Sequence, residues 1–250
     1  MGKQIALILR KLVLLTGNFP CDASVENIFL RCYLTDNVSE RKFLFMPWLY
    51  DLQERELISK QLASDGIFVD IGANVGIYTL WACLNLQSRG RILAIEPNPP
   101  VYQRLLFNLG ANQAGRDEWP DITTLQIAIG EKDETLNLHL QGSNLGASSI
   151  VRNDISQDHI QVRCRPLLKV LEETGIDHID ILKIDVEGAE DLALTPFLEK
   201  TGMNLLPGFL IIENSEHLWQ SDLEGLIKQR GYEIDFRTRM NTVYRLNKSG

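Results

Sequence analysis

Four carboxylic acids follow apolar runs in this 250-residue chain, at points where a chain would leave a buried strand. Asp70 ends one such run, Glu96 ends a second, and Asp185 with Glu187 ends a third. In an open parallel α/β sheet, ligands bind in the crevice outside the carboxyl ends of the strands. We therefore expect these acids to converge on one crevice, where carboxylates can attract a cation, accept hydrogen bonds or remove a proton.

Residues 69–79 predict the end of a buried strand, a glycine-punctuated turn and the start of a helix. Gly72 and Gly76 remove side chains where the backbone must approach a ligand and where the helix must pack on the strand. Such a turn alone indicates only a nucleotide-like ligand. Asp70 sharpens the prediction, because a carboxylate there would repel a pyrophosphate but attract an ammonium group. That favours S-adenosylmethionine over NAD.

Glu96 lies 20 residues after Gly76, where an acid can accept hydrogen bonds from both hydroxyls of a ribose. This position does not separate the two cofactors, since both carry a ribose, and Glu96 could instead cap the helix that follows. Ile129 ends a predicted third strand at 122–129, where an adenine would lie. Asn112 is a second candidate to contact the adenine, or else a surface residue.

The elements that must position these residues alternate between strand and helix patterns. Strands are predicted at 67–71, 91–95, 122–129, 179–185 and 208–213, with a terminal antiparallel hairpin at 232–236 and 242–246. Helices are predicted at 74–85, from 99 onwards, at 166–174, from 187 onwards and around 219–227. The pattern indicates a mostly parallel α/β sheet with helices on both faces. Residues 131–164 interrupt it and predict a β-hairpin insertion, with a mobile loop at 142–149 over the cleft.

We divide the chain into an N-terminal extension, residues 1–50, and a main domain, residues 51–250. Within the extension, residues 5–15 predict a short amphipathic helix that packs on the domain, on a second copy or on a partner. It is too short to span a bilayer, which needs about 20 apolar residues. A strand is predicted at 28–34.

An aromatic-rich segment joins the extension to the main domain. A helix is predicted to begin near Asp51, which could cap it together with Glu54 three residues later. Trp48 and Tyr50 precede this helix and either pack in the core or form a lid over the cofactor cleft.

Composition limits the classes of partner. The chain carries 33 acidic against 25 Lys and Arg residues, a formal net charge of −8, which argues against a nucleic-acid substrate. Its four cysteines lack the spacing of a metal or disulfide framework, so we expect free thiols, a cytoplasmic location and no disulfides. No membrane-spanning segment is predicted.

Three segments together resemble the FkbM-type methyltransferases. They read Val-Asp-Ile-Gly-Ala-Asn-Val-Gly at 69–76, Ala-Ile-Glu-Pro-Asn at 94–98 and Leu-Lys-Ile-Asp-Val-Glu-Gly-Ala-Glu at 182–190. The resemblance covers about residues 50–215 and implies a class I methyltransferase sheet of Rossmann-like type. It also implies S-adenosylmethionine as cofactor and O-methylation of a small-molecule hydroxyl, as on a sugar or secondary metabolite.

The resemblance assigns roles by position. It implies that the methionine end of the cofactor is held by Asp70, Gly72, Asn74 and Gly76, and the ribose by Glu96 with Pro97. It also implies that Asp185, Glu187 and Glu213 face the reacting centre.

A hydroxyl nucleophile needs a base, for which the candidates are Asp185, Glu187 and His217, just past the fifth strand. His217 could equally be a surface residue. Asp185 and Glu187 could instead bind a divalent metal, but they lack a clear third carboxylate, so no metal is predicted. Lys183 is expected to be a paired charge beneath the cleft.

Two other functions compete with this hypothesis. One is an NAD-dependent oxidoreductase, and the other is a non-catalytic module that keeps the fold as a scaffold. The N-terminal extension could also join two copies of the chain in a homodimer.

Overall fold

The computed structural model describes residues 2–17, 19–139, 149–150 and 159–247. The strands are β1 (Cys21–Val25), β2 (Ile28–Cys32), β3 (Ile67–Ile71), β4 (Arg91–Ile95), β5 (Asp121–Leu125), β6 (Ala128–Ile129), β7 (Glu134–His139), β8 (Ser149–Ile150), β9 (His159–Arg165), β10 (Ile181–Ile184), β11 (Phe209–Glu213), β12 (Tyr232–Arg237) and β13 (Asn241–Leu246). The α-helices are α1 (Gly2–Thr16), α2 (Val38–Phe45), α3 (Leu52–Gln61), α4 (Ile77–Cys83), α5 (Pro99–Gln113), α6 (Leu167–Thr174), α7 (Glu190–Lys200) and α8 (Leu223–Gln229).

Seven strands form the central sheet, in the order β12-β13-β11-β10-β3-β4-β5. Neighbouring strands from β11 to β5 run parallel, and β13 is antiparallel to both β11 and β12. The predicted mostly parallel sheet with a C-terminal antiparallel hairpin is confirmed, and its strand order is that of a class I methyltransferase sheet.

The sheet is the middle layer of three. Alternate residues of a strand point to opposite faces, so Phe68 packs with α3, α4 and α5 while Val69 packs with α6, α7 and α8. Every residue of β3 and β10 is buried, which explains why all but one residue of each strand is apolar. Polar side chains in these central strands are therefore placed for a reason other than contact with water.

The predicted third strand at 122–129 is wrong as a single element. The chain pairs with the central sheet only along β5 and then enters a second, four-stranded sheet through β6, which pairs with β9. The predicted insertion is present in outline, because β7 pairs antiparallel with β9. Its predicted mobile loop falls almost wholly on residues outside those that the structure describes. The helix predicted from 187 onwards begins later, at Glu190.

The N-terminal segment contains more structure than the sequence predicts. The amphipathic helix is confirmed as α1, but β1 and α2 were not anticipated. The β1–β2 hairpin is held to α5 by Asn112, whose amide oxygen accepts from the backbone N–H of Phe29 at 2.9 Å and whose amide nitrogen donates to its carbonyl at 2.7 Å. Asn112 is therefore a buried structural residue, and it is neither at the surface nor a contact for the adenine.

No helix in the described part of the chain is long and apolar enough to cross a membrane. The four cysteines are free thiols, as expected, and all but Cys21 are buried.

Replacing Asn112 should loosen this attachment. Asn112→Ala leaves two backbone groups of Phe29 without their partners, so we expect the free energy of unfolding to fall by about 1–3 kcal/mol. Urea unfolding followed by circular dichroism measures the change. The exposed Asn204 provides the control, and Asn204→Ala should change stability by less than about 0.5 kcal/mol. Equal effects of the two substitutions would contradict the attachment.

Candidate active site

A cavity of about 500 Å³ opens at the carboxyl edge of the central sheet. Its lining comes from α1, α2, the 47–49 turn, α3, the glycine turn, the ends of β10 and β11, and the β12–β13 turn. The lining includes Lys3, Lys42, Trp48, Tyr50, Asp51, Glu54, Gly72, Asn74, Tyr78, Lys183, Asp185, Glu213, Thr238, Arg239 and Asn241.

The glycine turn at 72–76 has a conformation that larger residues cannot share. Gly72 has φ +74°, and a Cβ there would lie 1.9 Å from the carbonyl oxygen of Asp185. Gly76 has φ +92°, with room for a Cβ only if the end of Leu105 moved. The close approach that Gly72 allows is thus to the neighbouring strand end, which brings Asp185 against the turn. The predicted helix–strand packing role of Gly76 is instead a helix–helix contact with α5.

Asp70 lies beneath the turn and has no exposure to solvent. It is the direct cross-strand neighbour of Lys183, whose Nζ lies 3.4 Å from Asp70 Oδ1. Thr79 on α4 donates to the other carboxylate oxygen at 2.6 Å. Lys183 is a paired charge beneath the cleft, as the sequence predicts, and it neutralises the carboxylate that the sequence argument placed against a cationic ligand.

Lys183 also joins Asp70 to the rest of the cleft. Its Nζ donates to the carbonyl oxygen of Gly72 at 2.8 Å and lies 3.7 Å from Asp185 Oδ2. Burial disfavours its charge, but Asp70 and Asp185 more than offset this and raise the pKa of Lys183. The ammonium group therefore stays charged inside the protein.

Three carboxylates meet above this lysine. One oxygen from each of Asp185, Glu187 and Glu213 lies within 4.8 Å of the others. Burial, followed by the charges of Asp185 and Glu187, raises the pKa of Glu213 to about 9. Burial and Asp185 raise the pKa of Glu187 to about 7. Crowded carboxylates of this kind hold a proton at neutral pH, or could bind a divalent cation such as Mg²⁺ in its place.

The sequence argument against a metal was the lack of a third carboxylate. Glu213, which the family resemblance had placed near the reacting centre, supplies it. Asp185 is accessible to a ligand in the cavity, with 41% of its side chain exposed.

Glu190, the last acid of the motif at 183–190, holds the loop that carries Glu187. One of its oxygens accepts from the backbone N–H groups of Val186 and Gly188 at 3.0 and 3.2 Å. The other accepts from the Ser215 hydroxyl and from Trp219 Nε1. Glu187 itself has φ +55°, a conformation that is uncommon outside glycine.

Glu96 directly follows β4, and each of its carboxylate oxygens accepts a hydrogen bond from a backbone N–H group. They accept from the N–H groups of Asn74 at 2.9 Å and Asn98 at 2.9 Å. Burial outweighs these bonds and raises the pKa of Glu96 to about 7. Asn74 has φ +52°, and its side-chain oxygen accepts from Asn37 of the N-terminal segment at 2.8 Å. Glu96 thereby braces the glycine turn.

The other predicted site residues lie apart from the cavity lining. Pro97 follows Glu96 and is half-buried, and Ile129 is buried in the core between the sheet and α6 to α8. His217 is exposed on a short 3₁₀ turn after β11. None of the three lines the described cavity. Gly72, Asn74 and Asp185 do line it, and the remaining predicted residues, Asp70, Gly76, Glu96 and Glu187, are not part of the lining.

Sequence reasoning did not predict how much of the cavity lining comes from residues before the glycine turn. Asp51 does not cap α3, because it has a left-handed conformation and its carboxylate instead accepts from the Tyr78 hydroxyl at 3.1 Å. Burial and Glu54 raise the pKa of Asp51 to about 6. Trp48 and Tyr50 line the cavity, which agrees in position with the lid alternative. The aromatic run at 43–50 was the available signal.

Comparison with known proteins adds a family and a fold. The family model described as the methyltransferase FkbM domain matches residues 70–234. AMB antimetabolite synthetase AmbE of Pseudomonas aeruginosa is 29% identical over 187 residues, or 62% of this chain, and the match spans 9% of that much longer protein. Methyltransferase sdnD of Sordaria araneosa is 25% identical over 222 residues, which cover 77% of this chain and 81% of that protein.

Among solved structures, the METTL16 MTase domain is similar with a TM-score of 0.50 at 12% identity, covering 100% of this chain and 81% of that one. At this identity the likeness supports the class I methyltransferase fold alone.

The proton on Glu213 should make stability depend on pH. Its pKa is about 9 in the folded protein against 4.5 in the unfolded chain, so the folded state binds the extra proton between these values and stability falls as pH rises through that window. In Glu213→Gln this contribution is lost. We expect the wild-type Tm to fall between pH 6 and pH 9 by about 3 °C more than that of the variant.

Differential scanning calorimetry measures this difference, with the exposed Glu199→Gln as a control that should keep the wild-type pH dependence. Parallel curves for wild type and Glu213→Gln would contradict the shared proton.

Manganese added at pH 8 tests the cation alternative, since an ion on the three carboxylates would raise the wild-type Tm more than that of the variant.

Proposed function

Because the chain belongs to the FkbM methyltransferase family, we propose that it transfers a methyl group from S-adenosylmethionine to a hydroxyl of a small molecule. The observation that carries the proposal is the juxtaposition of the glycine turn with Asp185 and Glu213 around one cavity at the carboxyl edge of the sheet. A small acceptor is supported by the relatives, one named an antimetabolite synthetase and one a methyltransferase.

The residues at this edge fit the chemistry of the cofactor. Its sulfonium and ammonium groups call for negative charge, which Asp185 presents to the cavity because Lys183 already neutralises Asp70. Its ribose calls for hydrogen-bond acceptors, and each carboxylate oxygen of Glu96 retains a lone pair beyond the backbone N–H that it accepts. In this proposal Gly72 and Asn74 hold the methionine end, with Gly76 shaping the turn and Asp70 acting from beneath it.

When bound, S-adenosylmethionine supplies a methyl group already activated by its sulfonium. The protein then has to align the acceptor hydroxyl with that methyl group and keep water out. Trp48, Tyr50 and the β12–β13 turn are placed to do this, since they line the same cavity as the glycine turn.

Removal of the hydroxyl proton falls to the carboxylates. Glu213 holds a proton at neutral pH, which leaves the charge to Asp185 and Glu187. A general base works best when its pKa is near the operating pH, and the pKa of Glu187 is raised to about 7. We assign the base to Asp185, which lines the cavity, together with the adjacent Glu187, whereas His217 is exposed and lies outside both groups.

The family match favours methyl transfer over the oxidoreductase alternative, and equilibrium binding tests it directly. Tight binding of NAD with no affinity for S-adenosylmethionine would reverse the proposal. Tight binding of S-adenosylmethionine with no transfer to any hydroxyl acceptor would favour the scaffold alternative.

Glu96→Ala should weaken binding of S-adenosylmethionine by about tenfold or more, because the variant lacks the acceptors for two ribose hydroxyls. Isothermal titration calorimetry measures the affinity. Glu96→Gln retains the shape of the side chain, but its amide nitrogen cannot accept from a backbone N–H, so the melting temperature of both variants is measured to detect loss of the turn. Glu118→Ala, on an exposed loop, should bind as wild type. Wild-type affinity in both Glu96 variants would remove this residue from the site.

Asp185→Asn should slow methyl transfer by about 10²–10⁴-fold, more than it weakens cofactor binding, since a positioned base contributes about that much. Transfer of a radiolabelled methyl group in single turnovers measures the rate, and titration with S-adenosylhomocysteine measures cofactor affinity. Asp177→Asn, an exposed acid before the amino end of the same strand, is the matched control. A wild-type transfer rate in Asp185→Asn would place the base elsewhere.

A further inference from the structure

Three cationic side chains from three separate parts of the chain line the same cavity. They are Lys3 on α1, Lys42 on α2 and Arg239 in the β12–β13 turn. All three are exposed, and within the described residues none of them makes an ion pair. The first turn of α1 lies close to the cavity, since a Cβ on Gly2 would be 3.9 Å from the Trp48 ring.

Several other cations of the N-terminal half are paired. Arg31 pairs with Asp22 at 2.8 Å, Arg55 with Glu26 at 2.5 Å, and Arg104 with Asp36 at 2.7 Å. In a chain with 33 acids and 25 bases, carboxylates are in excess as partners. Three unpaired cations around one opening therefore create a local positive field in an otherwise acidic protein.

The same cavity is also lined by acids. Asp185 and Glu213 lie at the strand ends and Asp51 at the start of α3. Lys42 is near enough to lower the pKa of Glu187 and of Asp51, yet it reaches neither in an ion pair. The cavity thus carries both charges, with acids at the strand ends and before α3, and with three exposed cations.

Apolar surface also lines this cavity. Met46, Trp48, Leu49, Tyr50 and Met240 contribute it, and Trp48 and Leu49 are about half exposed. Such surface suits the apolar body of a ligand whose polar groups lie at opposite ends.

We propose that the methyl acceptor is a hydroxylated organic anion, in which a carboxylate or phosphate at one end binds Lys3, Lys42 and Arg239 while the hydroxyl at the other end faces Asp185. The inference rests on the proposed function, because it names the acceptor class of that same site. In the proposed step, a bond forms between the hydroxyl oxygen and the methyl carbon as the bond from that carbon to the sulfonium sulfur breaks. The electron pair stays on sulfur, S-adenosylhomocysteine leaves, and the hydroxyl proton passes to a carboxylate. The anion itself takes no part in the chemistry and fixes which hydroxyl is presented.

The test compares matched acceptor analogues by calorimetry. The probes are 4-hydroxyphenylacetate, its neutral amide and 4-hydroxybenzylphosphonate, each titrated into full-length protein saturated with S-adenosylhomocysteine. Saturation matters because the cofactor has a carboxylate of its own, which one of the three cations could hold. Both anions should bind about tenfold more tightly than the amide, and the ratio between them distinguishes a carboxylate from a phosphate site.

The double variant Lys42→Ala with Arg239→Ala should weaken binding of the anions by about tenfold and leave the amide within about twofold. Lys200→Ala, at the exposed end of α7, is the control and should match wild type. Equal affinities for acid and amide, unchanged anion binding in the double variant, or no anion binding at millimolar concentration would each overturn the proposal.

Failure of the proposed function would show separately, because S-adenosylhomocysteine would then not bind to the wild-type protein. The same titrations without cofactor still compare the anions with the amide. Equal melting temperatures of the variants and wild type establish that the substitutions leave the fold intact.

Discussion

A buried ion pair between two neighbouring parallel strands fixes the floor of the cleft. Asp70 and Lys183 are direct cross-strand partners, and Lys183 also binds the carbonyl oxygen of Gly72 and approaches Asp185. One ammonium group thus ties the end of β3, the glycine turn and the end of β10 together. Breaking such a pair by removing one partner costs about 3–5 kcal/mol, because the other charge is left buried and uncompensated. The position of the turn depends on this contact.

The distribution of charge at the sheet edge depends on this ion pair. With the Asp70 carboxylate satisfied from below, the negative charge that faces the cavity belongs to Asp185 and its neighbours Glu187 and Glu213. Three carboxylates this close cannot all ionise freely, so one proton stays at Glu213 and the pKa of Glu187 lies near neutrality. Glu190 keeps the group together by binding the backbone of the loop between β10 and α7. The site is therefore both acidic and able to exchange a proton at neutral pH.

The walls of the cavity come largely from outside residues 70–234, the segment that matches the family. Asn37 donates to Asn74, and Asp51 accepts from Tyr78, so the N-terminal segment is bonded directly to the glycine turn and α4. On the other side, Glu54 accepts from Thr238 and Asn241, which fastens α3 to the β12–β13 turn. The acids and the glycine turn thus lie in the segment that matches the family, and much of the surface available to recognise an acceptor lies in the segments before and after it. The three unpaired cations belong to those same flanks.

The sequence by itself determined the parallel sheet, the acids at its strand ends and the pairing of Lys183, because apolar period and turn residues are local signals. It did not determine that Asp70 would lie beneath the turn, since strand register decides which acids meet the lysine. Nor could it show that 122–129 divides between two sheets, that Asp51 would bind Tyr78 instead of capping α3, or that Asn112 would hold β2. Each of these depends on a partner far away in the chain. Local pattern carries no information about such partners, and only the tertiary structure brings Lys3, Lys42 and Arg239 to one opening.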